Sequence, residues 1–224
     1  MQRETDFYND VLKLVIFDLD GVITDTAHYH YLAWKKIADE LGITFDDQLN
    51  EKLKGLSRYD SLDIILDANH LKLSRYQKED LITYKNKVYQ LLLTELSEKD
   101  ILEGIYLFIL SLKQDGKKVA VGSSSRNANL ILDKLNMTSL FDTIVTGCDV
   151  DQSKPHPDIF LKCATHLDIK PESCLVIEDA MSGIEAARRA NMKSIGIGSE
   201  SLNHATIRLA CTKELSIDII KSIL

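Results

Sequence analysis

Asp18 and Asp20 stand two residues apart at the end of the apolar run Leu14-Val15-Ile16-Phe17, with Gly21 directly after them. Such a run suits a parallel strand buried on both faces. Open parallel sheets bind their ligands beyond the carboxyl ends of the strands. Side chains two apart on a strand point the same way, so two carboxylates there repel unless a cation or a proton lies between them. Over this segment alone, a solvated Asp-Gly turn accounts for the residues equally well.

Three other stretches carry chemistry of matching character. Gly122-Ser123-Ser124-Ser125-Arg126-Asn127 could hold phosphate oxygens through hydroxyls and backbone N–H groups, although a polar loop with a helix cap explains it better when taken alone. In Lys154-Pro155-His156-Pro157-Asp158 two prolines stiffen a loop that starts a helix and preset Lys154 as a point charge; His156 reads as a loop residue. Glu178-Asp179 follows another apolar run. Adjacent acids at a buried strand end are costly without a cation, and Mg²⁺, which takes carboxylates, waters and phosphate oxygens, fits them. A helix N-terminus explains one of these acids well and the pair less well.

The elements that must position these residues follow from periodicity. Strands are expected at Lys13–Phe17, Lys117–Val121, Asp142–Thr146, Ser173–Glu178 and Lys193–Gly196, with a weak one near Leu209–Cys211. Helices are expected at Gly104–Gln114, Asn127–Leu135, Asp158–His166, Ser182–Ala190 and Ser216–Ile220. Strands alternating with helices imply an α/β fold, a Rossmann-like parallel sheet core with helices on both faces. The segment 27–96 lacks strand patterns and reads as helices at His28–Leu41, Arg58–Asn69 and Ser74–Leu96, with Ser74 as an N-cap. The expected organisation is a discontinuous core, 1–26 and 97–224, with an inserted α-helical cap domain at 27–96. Met1–Val11 extends ahead of the first strand.

Asp-x-Asp-Gly-x-Ile-x-Asp-Thr at Asp18–Thr26, with Ser123, Lys154-Pro155 and Glu178-Asp179 in that order at successive strand ends, resembles the four motifs of the haloacid-dehalogenase-like phosphotransferases. The resemblance spans nearly the whole chain. It implies that Asp18 is the nucleophile that forms an aspartyl-phosphate and that Asp20 is the general acid/base. Ser123 then contacts the transferring phosphoryl group and Lys154 neutralises charge. One Mg²⁺ is implied at Asp18, Asp20, Glu178 and Asp179. Within that family the string resembles the branch that moves phosphate between C1 and C6 of β-D-glucose, with β-glucose 1,6-bisphosphate as intermediate and activator; a sugar-phosphate phosphatase is the alternative. The same likeness implies substrate-binding roles for Thr26, at the hinge, and for His30, a hydrogen-bonding link to Asp20. It extends them to Trp34, Gly55, Ser57, Arg58, Ser61 and Lys85, and to Ser124, Ser125 and Asn127 around the non-transferring phosphate. Trp34 packing a helix and Lys85 as a solvated helix residue are the plainer readings of those two positions. Tyr59 departs from the pattern, standing where relatives commonly carry an acid.

The net charge of −7 argues against nucleic acid or an anionic membrane as partner, so phosphate binding must draw on local cations. The 45% hydrophobic and 27% charged composition is that of a soluble globular protein. Cys148, Cys163, Cys174 and Cys211 form no C-x-x-C pair, and Met1–Asp10 has no apolar signal-peptide region. The expectation is a cytoplasmic monomer with reduced thiols, acting on small sugar phosphates.

Overall fold

The computed structural model describes residues 11–53, 56–198 and 202–223. Gly55 and the extension up to Asp10 therefore lie outside the described residues. The chain divides into two compact units, Met1–Asp25 with Ser97–Leu224, and Thr26–Leu96.

Among the described residues, the first unit is built on six parallel strands: β1 Leu14–Phe17, β2 Lys118–Gly122, β3 Thr143–Val145, β4 Cys174–Glu178, β5 Lys193–Ile197 and β6 Ile207–Leu209. Their order across the sheet is β3-β2-β1-β4-β5-β6. The chain builds outward from β1 in one direction and then, from β4, in the other. That reversal between β1 and β4 opens the crevice in which such sheets hold ligands. The register is even: Phe17 lies opposite Val121 on one side and Ile177 on the other. The three central strands therefore end at one level and deliver Asp18, Gly122 and Glu178 to one edge.

The helices are α1 Ala27–Leu41, α2 Asp47–Glu51, α3 Arg58–Ala68, α4 Arg75–Leu92, α5 Ile105–Gln114, α6 Ala128–Lys134, α7 Asp158–His166, α8 Met181–Arg189 and α9 Ile217–Ser222. The alternation of β1 explains why its residues are apolar without interruption. Leu14 and Ile16 pack into one cluster with Phe160 and Cys163 of α7 and Ala186 and Ala187 of α8. Phe17 points to the opposite face and meets Phe108 of α5 edge-on at 6.1 Å between ring centres. Each fully buried Leu, Ile or Phe gains roughly 1.5–3 kcal/mol over exposure, which outweighs any local preference of so short a strand.

Among the described residues, the regular elements of the second unit are all helical. Its core joins Trp34, Ile37 and Ala38 of α1 to Leu62, Ile65 and Leu66 of α3 and Ile82 of α4. Ser74 caps α4 with a capping box, accepting from the Gln77 N–H while the Gln77 side chain accepts from the Ser74 N–H. In the first unit, the segments leading to and from the helices run side by side: Leu102 N–H donates to Ile23 carbonyl and the Thr24 hydroxyl to Asp100 carbonyl.

Three elements differ from the sequence expectation. The five-residue helix α2 was not anticipated; Asp46 caps it by accepting from the Leu49 N–H, but it is too short to show a helical period. The last strand, β6, lies at Ile207–Leu209 rather than at Leu209–Cys211, because its register is set by pairing with β5. The long helix stops at Leu92 and continues as a 3₁₀ turn at Leu93–Glu95.

Candidate active site

The sheet edge brings together Asp18 from the end of β1 and Glu178 and Asp179 from the end of β4. One ligand oxygen of each lies within 4.8 Å of the others. Such a set is electrostatically unsatisfied by itself. Burial, then the charges of Glu178 and Asp18, push the Asp179 carboxyl up to about 8. Glu178 is raised as well, by burial first and then by Asp18 against the relief from Lys154. Three converging hard oxygen donors under mutual repulsion fit a divalent cation of the Mg²⁺ type. The Asp20 side chain is not one of the three. It contributes negative charge that raises Asp179 further and lies half-buried in the turn after β1.

Lys154 offsets part of this charge. Its Nζ donates to Asp18 Oδ1 at 2.5 Å and to Glu178 Oε1 at 2.6 Å, with the Phe160 ring 4.8 Å away. Burial alone would lower its pKa, but Asp18 and Glu178 prevail and raise it, so the ammonium stays charged. Glu178 is further fixed by the Ala180 N–H, 2.8 Å from Oε2. The loop carrying Lys154 also places His156 Nδ1 3.0 Å from Asp158 Oδ1.

Two glycines make this packing possible. Gly21 has φ +81°, and a Cβ there would lie inside the Asp179 carboxylate. A Cβ on Gly183 would overlap the Glu178 carboxylate in the same way. The missing side chain at Gly183 leaves room for a carboxylate.

The loop after β2 is organised by its own hydroxyls. Ser123 Oγ accepts from the Ser125 N–H at 3.1 Å, and Ser125 Oγ from the Asn127 N–H at 3.2 Å. Each hydroxyl keeps its O–H as a donor for an acceptor oxygen. Ser123 and Asn127 are buried, Ser125 half-buried and Ser124 exposed. The Ser124 carbonyl lies against Gly147, where a Cβ would overlap it.

In the helical unit, the residues singled out from sequence fall into two groups. His30, Trp34 and Lys85 form one cluster with Thr26 and Tyr89. Lys85 Nζ lies 2.8 Å from His30 Nδ1, 4.9 Å from the Trp34 ring centre and 4.8 Å from that of Tyr89. Burial, then the charges of Lys85 and Arg58, hold His30 well below the ordinary histidine range. Ser57 instead caps α3, accepting from the Asp60 N–H at 3.2 Å and donating to Asp60 Oδ2 at 2.6 Å. Arg58 is half-buried on the first turn of α3, Ser61 is buried one turn on, and Tyr59 is exposed. Sequence reasoning passed over Tyr89. The signal available was its spacing: it follows Lys85 by one turn of α4, as Trp34 follows His30 on α1.

A model of the haloacid dehalogenase-like hydrolases matches residues 15–197. The chain is 42% identical to the β-phosphoglucomutase of Bacillus subtilis over 93% of its own length and 94% of that protein's. A crystal structure of β-phosphoglucomutase from Clostridium difficile superposes with a TM-score of 0.90 at 41% identity, covering 95% of this chain and 96% of that one. This chain is also 31% identical to the fructose-1-phosphate phosphatase of Escherichia coli, over 82% of its own length and 95% of that protein's.

Proposed function

The chain belongs to the haloacid dehalogenase-like hydrolase family and is an enzyme of its phosphotransferase kind, and we propose that it acts as a β-phosphoglucomutase, interconverting β-D-glucose 1-phosphate and D-glucose 6-phosphate through β-glucose 1,6-bisphosphate. The observation that carries this choice is the 42% identity to a β-phosphoglucomutase over 93% of the chain, a span that includes the helical unit as well as the sheet edge.

In this reading, Asp18 attacks phosphorus and forms the aspartyl-phosphate. Asp18, Glu178 and Asp179 would hold one Mg²⁺, which supplies charge screening between carboxylate and phosphate. Lys154 holds Asp18 in place and adds a fixed positive charge beside the transferring group. The Ser123 hydroxyl donates to a phosphoryl oxygen, and Ser125 and Asn127 serve the phosphate that is not transferred. Asp20 protonates the departing sugar oxygen and in the reverse half-reaction takes the proton from the incoming hydroxyl. Its place outside the carboxylate triad supports that division of labour, since a carboxylate that must exchange protons is better left out of the metal cluster. The bisphosphate must turn end for end between half-reactions, which calls for a second phosphate clamp; Arg58, a planar fork suited to phosphate, is assigned to it. Gly55, outside the described residues, belongs to the same proposed substrate loop. The helical unit is proposed to act as the cap domain.

A sugar-phosphate phosphatase is the second reading, favoured by the likeness to the fructose-1-phosphate phosphatase. The test is a product analysis. With β-glucose 1-phosphate, Mg²⁺ and a trace of the 1,6-bisphosphate, glucose 6-phosphate is expected to form much faster than free phosphate, and chelation is expected to stop both. Free phosphate as the main product across a sugar-phosphate panel would decide for the phosphatase. Of the membrane, the structure says only that no helix among the described residues is long and apolar enough to cross one.

A further inference from the structure

We propose that Tyr89 is a positioning residue of the reaction: its ring and hydroxyl together hold His30 as a neutral imidazole with the proton on Nε2 and tie that ring to Thr26, the first residue of the helical unit. The functional consequence rests on the phosphoryl-transfer reading above; the state of His30 can be measured without turnover.

Tyr89 is fully buried. Its ring lies 4.1 Å from the His30 ring, tilted by 31°. Its hydroxyl donates to Thr26 Oγ1 at 2.9 Å. Thr26 is the N-cap of α1 and His30 lies in its first turn, four residues on, so one tyrosine contacts the start of the helix at two places. The Thr26 hydroxyl is diverted to this purpose. A threonine at a helix N-cap ordinarily accepts from an N–H of the first turn, but Thr26 makes no side-chain cap bond to α1. A buried phenol without a partner would be costly, and this hydroxyl supplies the partner.

The proton assignment follows from donor inventory. An ammonium has three donors and no acceptor. Lys85 Nζ at 2.8 Å from Nδ1 therefore makes Nδ1 the acceptor, and the ring proton resides on Nε2. Protonating Nδ1 would set an imidazolium against an ammonium. Arg58, on α3, adds its positive charge in the same sense. Aromatic faces, Trp34 from α1 and Tyr89 from α4, lie against the Lys85 ammonium at 4.9 and 4.8 Å and favour its place there. The Tyr89 ring thus orients the imidazole and holds the cation that fixes its tautomer. His30 Nε2–H becomes a donor of fixed direction, offered to an oxygen of the bound sugar phosphate.

Two substitutions separate ring from hydroxyl in the full chain. Tyr89→Phe keeps both aromatic contacts and removes the bond to Thr26. Tyr89→Leu removes the ring. Imidazole ¹⁵N NMR on the Mg²⁺-loaded protein is expected to show His30 as the Nε2–H tautomer across pH 6 to 8 in the wild type and in Tyr89→Phe. In Tyr89→Leu, His30 should show mixed tautomers and titrate closer to the ordinary histidine range. Turnover, followed as whichever product the enzyme forms, should fall about tenfold in kcat for Tyr89→Phe with KM unchanged, the scale of one buried hydrogen bond. Loss of packing alone would lower the melting temperature without moving kcat or the tautomer. A folded Tyr89→Leu protein that keeps the wild-type His30 tautomer overturns the proposal. If that variant does not fold, wild-type kcat in Tyr89→Phe overturns it alone. A free-phosphate product would sink the mutase reading and leave both outcomes readable.

Discussion

Lys154 in the first unit and Lys85 in the second are both buried, and they are held by opposite means. At the sheet edge Lys154, 8% exposed, is held by two carboxylates and keeps its charge because they outweigh its desolvation. In the helical unit Lys85, 4% exposed, rests on a histidine nitrogen and two aromatic faces. The carboxylate cage spends the lysine's charge on local neutralisation. The aromatic cage expresses it on the imidazole, whose proton it both keeps off Nδ1 and fixes on Nε2. A cation surrounded by acids stabilises a charge-transferring site. A cation lying against aromatic faces and an imidazole nitrogen bears on the protonation state of that imidazole.

The largest expected effect lies at the sheet edge. Asp18→Asn should lower turnover by roughly 10⁴–10⁶-fold, the scale of losing a nucleophile, with no acyl-phosphate trapped on acid quench. Asp20→Asn should cost about 10²–10⁴-fold while binding Mg²⁺ as the wild type does, because its side chain stands outside the triad. Loss of metal affinity in Asp20→Asn would merge the two roles that the geometry separates.

The lysine contrast can be broken next. Lys154→Met leaves Asp18 and Glu178 facing each other without their cation. Breaking a buried pair of this kind typically costs about 3–5 kcal/mol, so denaturant unfolding in chelator should show a loss of that order, with part of it restored by Mg²⁺. An unchanged unfolding midpoint in chelator would mean that the two acids shed their repulsion by other means.

The smallest effect is the pH dependence of metal binding. The Asp179 carboxyl sits at about 8 in the metal-free fold, against 3.8 for a free side chain. Its folded-state pKa is raised, so the folded protein holds a proton that the unfolded chain releases. The contribution to metal-free stability therefore declines as pH rises from about 4 and levels off above about 8. Mg²⁺ must displace that proton, so its affinity should rise about tenfold per pH unit below 8 and flatten above it. Titration calorimetry in buffers of different ionisation heat would detect the released proton; a pH-independent affinity from 6 to 8 would remove Asp179 from the ligand set.

Particular residues show how far the sequence carried. The strands that end at Phe17 and Glu178 were legible because both faces of a central parallel strand must be apolar, and that requirement is written in consecutive letters. The strand at Ile207–Leu209 was less so, since an edge strand borrows its register from a neighbour. The union of Lys154 with Glu178 spans 24 residues and that with Asp18 spans 136; only the fold makes them one group. Tyr89 left no motif, since its role comes from which helix faces it. Ser57, singled out by likeness alone, caps its own helix, a local role that its place before Arg58 and Asp60 also fits.

Gly21 and Gly183 carry a consequence for anyone wishing to move this chemistry elsewhere. Transplanting Asp18, Glu178, Asp179 and Lys154 onto another parallel sheet would reproduce the donors without the vacancies that receive them. Two absent methyl groups, one beneath Asp179 and one beneath Glu178, are as much a part of the blueprint as the oxygens. A graft that copied the four charged side chains and left alanine at these two places would give a crowded edge with its carboxylates turned aside.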